Sequence, residues 1–254
     1  MKKRSEDLTT GPVVPLLARL TWPMLMGLAG MIFCDVVNSI YIGHLGVTEL
    51  AALTLTFPVV MVISSVSMGI GVGISATLSQ VYINGQHKTI QRYASQAIAL
   101  LLCFTLLITV IGVLTVEPLF GLFGADGALV PLAADYMRIR YIAFFASAIP
   151  GVGNNILRAT GDTLRPGMIM LYITIANIVL DPVLIFGLGF IPAMGIRGAA
   201  VATLISMVLG LVLSLNILIR KERLLALSNV LVGLWATWRR IARVALPAAL
   251  GTLV

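Results

Sequence analysis

Two aspartates lie inside long apolar segments of the sequence, Asp35 and Asp181. A charged side chain at the middle of a bilayer costs about 2.5–3.5 kcal/mol on insertion scales, so such a residue is a candidate functional group. Asn177 lies one helical turn before Asp181 on the same face. Pro182, which follows directly, removes one backbone hydrogen bond and frees a carbonyl oxygen.

The oxygen atoms expected around Asp181 suit a small cation, because carboxylate, amide and carbonyl oxygens are all hard ligands. The carboxyl group can also bind and release a proton. The alternative is a helix-packing aspartate that is held by neighbouring hydroxyl or amide groups. Asp35 lies three residues before Asn38 on one helical face, so it either joins Asp181 in one polar chamber or lies near the outer headgroups.

The elements that carry these residues must cross a membrane. Apolar residues make up 59% of the 254 residues and charged residues 11%, against about 45–50% and about 25% in soluble globular domains. The net charge of +7 comes from short basic clusters between apolar runs, which is typical of membrane topology signals. No basic stripe alternates with aromatic residues, so nucleic acid is excluded as a partner.

The apolar runs predict an all-α, polytopic helical bundle in the lipid bilayer with six transmembrane helices. The spans are expected at about 16–40, 50–75, 93–116, 129–157, 166–190 and 197–219. The predicted division is a cytoplasmic tail (1–15), a six-helix lobe (16–221), a cytoplasmic interfacial linker (222–238) and the start of a seventh helix (239–254). In the second span Gly69 and Gly73 form a GxxxG motif, which lets a partner helix approach closely.

Most of the 17 Lys and Arg residues fall on one side of these spans. This bias predicts a multi-pass protein of the bacterial inner (plasma) membrane with its N-terminus in the cytoplasm. Trp22, Trp235 and Trp238 fall at the same predicted interface, as aromatic belt residues do.

A short internal repeat follows the sixth span. The segment Ala18–Gly27 and the segment Ala242–Gly251 share Ala, Arg, Pro and Gly in the same register. Six spans between the two copies give both the same orientation, the parallel-repeat arrangement of two-lobed transporters. The sequence therefore predicts one lobe plus a truncated start of a second. The expected partner is a second six-helix lobe, either a C-terminal half or a second copy of the chain.

Four segments resemble the multidrug and toxic compound extrusion (MATE) family of transporters. Asn177–Gly187 and Leu157–Pro166 are similar to its fifth span and the loop before it. Gly195–Thr203 looks like the start of its sixth span, and Tyr41–Gly46 like the end of its first. The resemblance implies two six-helix lobes that export small organic, often cationic, compounds by antiport, with H⁺ or Na⁺ as the coupling ion and no cofactor.

The resemblance also implies a set of site residues for coupling to a proton or a cation. The coupling site falls on Asp181, Asn177, Thr203 and Asn38, with the carbonyl of Ala199 as a further ligand and Asn154 and Asn155 as chamber lining. One departure concerns Asn38, because the family usually has an acid there. Either Asp35, one turn away, substitutes for that acid, or Asp181 works alone.

Two other function classes fit a helical membrane protein, a channel or pore and an intramembrane enzyme. A channel would need polar rings or a filter loop, and an intramembrane protease would need a recognisable catalytic motif. The sequence contains neither, so it favours a transporter without an enzymatic activity.

Overall fold

The computed structural model describes residues 13–84, 87–123, 127, 129–159, 162–189, 191–221 and 233–251. Within these residues the chain forms seven α-helices and one π-helical turn, Ile217–Lys221. Residues 1–12 of the predicted tail lie outside the described residues. Most of the predicted linker and residues 252–254 also lie outside them. The α-helices are α1 (Val13–Gly43), α2 (Val47–Asn84), α3 (His87–Leu122), α4 (Leu129–Ala159), α5 (Leu164–Ile185), α6 (Ile196–Asn216) and α7 (Leu234–Gly251).

The predicted all-α polytopic bundle is confirmed. Five of the described helices, α1, α2, α3, α5 and α6, are long and apolar enough to cross a bilayer. The fourth predicted span is also one continuous helix, α4, but its first half carries Asp135, Arg138 and Arg140. The polar side chains of that helix must therefore find partners inside the protein or at the membrane surface.

Several helix boundaries differ from the sequence-based expectation. Helix α2 runs past its predicted end to Asn84, and α3 extends beyond both ends of its predicted span. Helix α5 ends at Ile185 rather than near residue 190, because Gly187 adopts a positive φ of 77° and Leu188 pairs with Ile191 in a tight turn. Asp181 is therefore one turn from the end of its helix rather than at its middle. Helix α7 begins at Leu234, five residues before the predicted boundary at 239.

The start of the predicted second repeat packs on the first lobe. A Cβ added at Gly69 would lie 2.6 Å from the carbonyl oxygen of Ala245, and one added at Gly73 would lie 2.6 Å from that of Ile241. The GxxxG motif thus brings the backbone of α7 against α2, as its spacing predicts. We call this contact the α2–α7 seam.

Polar contacts with Gln96 of α3 hold α7 beside the seam. The hydroxyl of Thr237 donates to the side-chain oxygen of Gln96 at 2.7 Å. The indole of Trp238 donates to the backbone oxygen of the same residue at 3.1 Å. These bonds explain why α7 starts before the apolar run of the repeat, since its first turn is tied to the first lobe.

Candidate functional site

Helices α1 and α5 lie side by side with a fixed register that brings their polar residues together. The Cys34 thiol donates to the side-chain oxygen of Asn177 at 2.9 Å. One and two turns earlier, Gly30 and Gly27 of α1 lie against Thr174 and Met170 of α5. The helices therefore run parallel with an offset of 143 residues, and one turn beyond Cys34 this register places Asn38 at the level of Asp181.

Helix α6 closes the third side of this arrangement. The amide nitrogen of Asn177 donates to the hydroxyl oxygen of Thr203 over a long 3.5 Å. That hydroxyl in turn donates to the backbone oxygen of Ala199 at 3.0 Å. The carbonyl of Ala199 is thus linked to the site through Thr203.

Asp181 is fully buried, with 0% of its surface exposed. Neither carboxylate oxygen has a hydrogen-bond partner within the described part of the chain, and the side-chain oxygen of Asn38 has none either. Removing an ion from water costs several kcal/mol unless another charge compensates it. A proton or a bound cation would supply that compensation. We call the group formed by Cys34, Asn38, Asn177, Asp181 and Thr203 the Asp181 site.

The local backbone fixes the position of the Asp181 site. Pro182 lies inside α5 and cannot donate a backbone hydrogen bond. Gly198 of α6 lies against the backbone of α5, since a Cβ there would clash with the carbonyl oxygen of Leu184. Helices α5 and α6 thus come into backbone contact about one turn after Asp181.

Asp35 is not part of the buried cluster. Its side chain is exposed and lines an open groove of about 760 Å³ together with Ser39, His44 and Phe57. Asn38, one helical turn later, is 91% buried. Burial therefore favours Asn38 over Asp35 as the immediate neighbour of Asp181, although only Asp35 carries a charge.

The two asparagines of α4 also lie apart from Asp181. Asn155 packs on Gly71 of α2 and donates to the backbone oxygen of Gly151 at 2.8 Å. The side-chain oxygen of Asn154 is buried and has no hydrogen-bond partner in the part of the chain that the structure describes. Both residues are near the end of α4, whereas Asp181 is near the end of the next, oppositely directed helix. The structure thus places the two asparagines and Asp181 at opposite ends of the lobe.

Arg140 on α4 is one polar residue that the sequence analysis did not single out. Its guanidinium carbon lies 5.7 Å from the ring centroid of Phe144, and its buried Nε has no hydrogen-bond partner among the described residues.

Cys34 is the second residue that sequence reasoning missed. The sequence suggests a small buried hydrophobe, because Cys34 lies in an apolar run. Its thiol instead joins α1 to Asn177. Its spacing of four residues from Asn38, which puts both on one helical face, is the signal that could have identified it.

No cluster of three or more His, Cys, Asp or Glu residues that could hold a metal ion occurs in the parts of the chain described above. A cation at the Asp181 site would have one carboxylate and otherwise neutral oxygen atoms around it. Such a ligand set has the charge to balance one proton or one monovalent ion.

Comparisons with known proteins agree with this architecture. The family model described as MatE matches residues 23–183. The chain is 36% identical to an FAD transporter of Shewanella oneidensis, covering 100% of this chain and 56% of that protein. It is 24% identical to a probable multidrug resistance protein, NorM, of Thermotoga maritima, covering 95% of this chain and 50% of that protein.

Solved structures of transporters also superpose on this chain. A transporter of the MOP superfamily from Pyrococcus furiosus superposes with a TM-score of 0.85 at 31% identity, covering all of this chain and 56% of that one. The Vibrio cholerae MATE transporter VcmN gives a TM-score of 0.87 at 28% identity, with coverages of 94% and 54%. The chain therefore spans about half the length of the relatives it matches.

Proposed function

Since this chain belongs to the MatE family of membrane transporters, we propose that it forms the first lobe of a two-lobed secondary transporter that exports small organic compounds. The observation that carries the proposal is the fully buried Asp181, whose two carboxylate oxygens are unpaired in the described structure. A residue of this kind is costly in a membrane and is typical of ion pathways. The proposed lobe comprises residues 16–221, and α7 begins the second repeat.

We propose that Asp181 is the coupling residue of the lobe. A proton or a monovalent cation, H⁺ or Na⁺, neutralises its carboxylate. Asn177, Thr203 and Asn38 supply neutral oxygen atoms next to it, and Ala199 orients Thr203 through its carbonyl. Asn154 and Asn155 remain proposed lining residues of the inner end of the lobe.

Coupling follows from the charge of this site. With the carboxylate neutralised, α1, α5 and α6 pack around a neutral group, and without the ion they enclose an uncompensated charge. An ion that binds one packing better than the other shifts the equilibrium between them. By reciprocity, a compound that prefers the other packing is released when the ion binds.

The rest of the proposal concerns surroundings and partners. The protein is an integral multi-pass membrane protein, and we propose the bacterial plasma membrane with a cytoplasmic N-terminus. The substrate site lies between this lobe and a second six-helix lobe, near the middle of the bilayer. The proposed substrates are organic, often cationic, drug-like compounds that are exported by antiport.

A second candidate substrate class is flavin dinucleotides. The observation that favours it is the 36% identity with the FAD transporter of Shewanella oneidensis, which extends over the whole chain. Export of a dinucleotide uses the same lobe and the same coupling residue. Such export differs from the export of cationic compounds in the sign of the substrate's charge.

The proposed function is tested by expressing the 254-residue chain in drug-sensitive cells, alone and with a six-helix second lobe appended after Val254. We expect gradient-driven efflux of a labelled cationic dye or of FAD only from the extended protein, or from a cross-linkable dimer of the chain. Counterflow of the labelled compound against a pH or sodium gradient separates a transporter from a channel. An extended protein that inserts but moves neither compound contradicts the proposal.

The relative importance of Asn38 and Asp35 is a separate prediction. We expect Asn38→Ala to lower coupled efflux about tenfold, because it removes a buried polar neighbour of Asp181. We expect Asp35→Asn to leave efflux within about twofold, since its side chain lies outside the buried Asp181 site. The measurement is the dependence of dye efflux on the imposed pH and sodium gradients. A larger change for Asp35→Asn would support the substitution of the family acid by Asp35.

A further inference from the structure

The side of α7 that points away from the lobe carries one tryptophan and two arginines in a row. The buried residues of α7 recur every four positions and face the lobe: Thr237, Ile241, Ala245 and Ala249. Trp235, Arg239 and Arg243 recur with the same spacing, but they are offset by two positions, which places them on about the opposite side of the helix. All three are exposed. We call these three residues the outer stripe of α7.

The two flanks of α7 are held by the lobe, whereas the outer stripe is not. On one flank the guanidinium of Arg240 donates to the side-chain oxygen of Gln80 on α2 at 2.7 Å. On the other, the indole of Trp238 donates to the backbone oxygen of Gln96 on α3. Arg239 and Arg243 form no ion pair with any residue that the structure describes.

The helices around the outer stripe carry no acid that could balance its charge. The sequence has no Asp or Glu between Glu49 and Glu117, and none after Glu222. Glu49 lies in the first turn of α2, whereas α7 contacts Gln80 near the end of that helix. Glu117 lies near the end of α3, whereas α7 contacts Gln96 in its first half. Both acids are therefore at the far end of the lobe.

The exposed side of α7 changes from basic to apolar within one turn after Arg243. Leu246 and Leu250 continue this side and are exposed to 66% and 64%. Trp235, at the other end of the row, is 75% exposed. Tryptophan favours the membrane–water interface, and arginines near helix ends direct their charge to the same level. The pattern thus places the two guanidinium groups at the height of lipid phosphates and the two leucines beside acyl chains.

We propose that the outer stripe binds the phosphate group of an anionic phospholipid, whose acyl chains lie against Leu246 and Leu250. Arg239 and Arg243 are one turn apart, about 6 Å along the helix, so both forks can reach one headgroup. The planar fork of an arginine matches a phosphate through two parallel hydrogen bonds. A zwitterionic lipid also has a phosphate, but its ammonium group opposes the unbalanced positive charge, so an anionic lipid is preferred.

The bound lipid stabilises the contact between α7 and the lobe. Helix α7 is fixed on its inner side by the α2–α7 seam, and the lipid holds it from the outer side. A ligand that binds only the folded arrangement raises its stability. The inference goes beyond transport, because the lipid is neither a substrate nor a coupling ion.

The test uses the 254-residue chain in nanodiscs that contain phosphatidylcholine and a minor fraction of phosphatidylglycerol. Bromine on the acyl chains of one lipid at a time quenches nearby tryptophans, and Trp235→Phe gives the background from Trp22 and Trp238. We expect brominated phosphatidylglycerol to quench Trp235 more than brominated phosphatidylcholine does at the same mole fraction. The double variant Arg239→Gln/Arg243→Gln should lower this preference about fivefold or more. Arg239→Lys/Arg243→Lys should retain part of it, because the charge stays and the fork is lost.

The matched control is Lys88→Gln/Arg240→Gln, which removes the same number of charges from the same end of the lobe. Lys88 is exposed at the start of α3, and neither residue belongs to the outer stripe. We expect the lipid preference of this control to stay within about twofold of the wild type. Thermal unfolding in pure phosphatidylcholine checks that each variant is folded. Phosphatidylglycerol should raise the unfolding midpoint of the wild type and not that of Arg239→Gln/Arg243→Gln.

Four results would overturn the inference. The first is equal quenching of Trp235 by the two brominated lipids in the wild type. The second is an equal loss of preference in the control, which would indicate a diffuse surface charge. The third is loss of the preference on adding glycerol phosphate in solution, which would assign the arginines to a soluble phosphate. The fourth is a second copy of the chain that shields Trp235 from both lipids. Gradient-driven efflux is measured separately, so none of these results would contradict the proposed transport function.

Discussion

In the extended, two-lobed protein, Asp181→Asn is expected to abolish gradient-driven efflux while the protein still inserts and folds. The substitution keeps the size of the side chain and removes a carboxylate that is fully buried and unpaired in the described structure. Asparagine cannot take up a coupling proton and carries no charge for a cation. Removing an unpaired buried charge does not destabilise a protein, so the loss of activity should come without a loss of folded protein. Efflux of a labelled cationic dye from energised vesicles measures the effect.

The control for this variant is Asp162→Asn. Asp162 lies before α5, where its carboxylate pairs with Arg165 at 3.2 Å, and a half-exposed pair of this kind contributes about 0–1 kcal/mol. We expect near-normal efflux from the control. Efflux at the wild-type rate in Asp181→Asn, with a normal response to both gradients, would show that the coupling residue lies elsewhere.

Gly69→Ala is expected to lower the stability of the protein by about 1–3 kcal/mol, the usual cost of overpacking a close contact. The new methyl group would lie 2.6 Å from the carbonyl oxygen of Ala245 and 2.8 Å from the backbone nitrogen of Ala249. Both are backbone atoms of α7 and cannot rotate away. The two helices must therefore separate along the α2–α7 seam. Thermal unfolding in detergent should show a lower midpoint. Limited proteolysis should cleave α7 earlier than in the wild type.

The matched control is Gly121→Ala. Gly121 also lies in a helix, but a Cβ there would meet none of the described residues within 4 Å. We expect this variant to be as stable as the wild type or slightly more stable, since alanine favours helices over glycine by about 1 kcal/mol. Adding Ala249→Gly to Gly69→Ala should restore part of the stability, because it removes one of the clashing carbons. Equal midpoints for Gly69→Ala and Gly121→Ala would contradict the close contact.

The membrane-spanning helices could be predicted from the sequence because the property that defines them is local. A run of about 20 apolar residues is long enough to cross the hydrocarbon core whatever the rest of the chain does. The GxxxG motif could also be identified from the sequence, since its two glycines lie four residues apart on one face. Its partner helix, α7, could not be identified, because that contact depends on how distant helices pack.

The Asp181 site was predicted less completely, because it also depends on how distant helices pack. Asp181 and Asn177 lie on one helix and could be paired by spacing alone. Asp35 and Asn38 are also close in sequence, yet one is exposed and the other is buried. The contact between Cys34 and Asn177 fixes which face of α1 turns inward.

The α2–α7 seam also affects how the protein is made. A ribosome delivers the helices to the membrane in order, and earlier parts of a chain begin to fold first. The glycine face of α2 thus stays uncovered while four further helices are synthesised, until α7 arrives and packs on it. Packing of the first six helices is therefore completed by a helix that we propose to be the start of the next repeat. A pause or a cut in the chain before α7 would release a lobe with an open glycine face, which membrane quality control could recognise as unfinished.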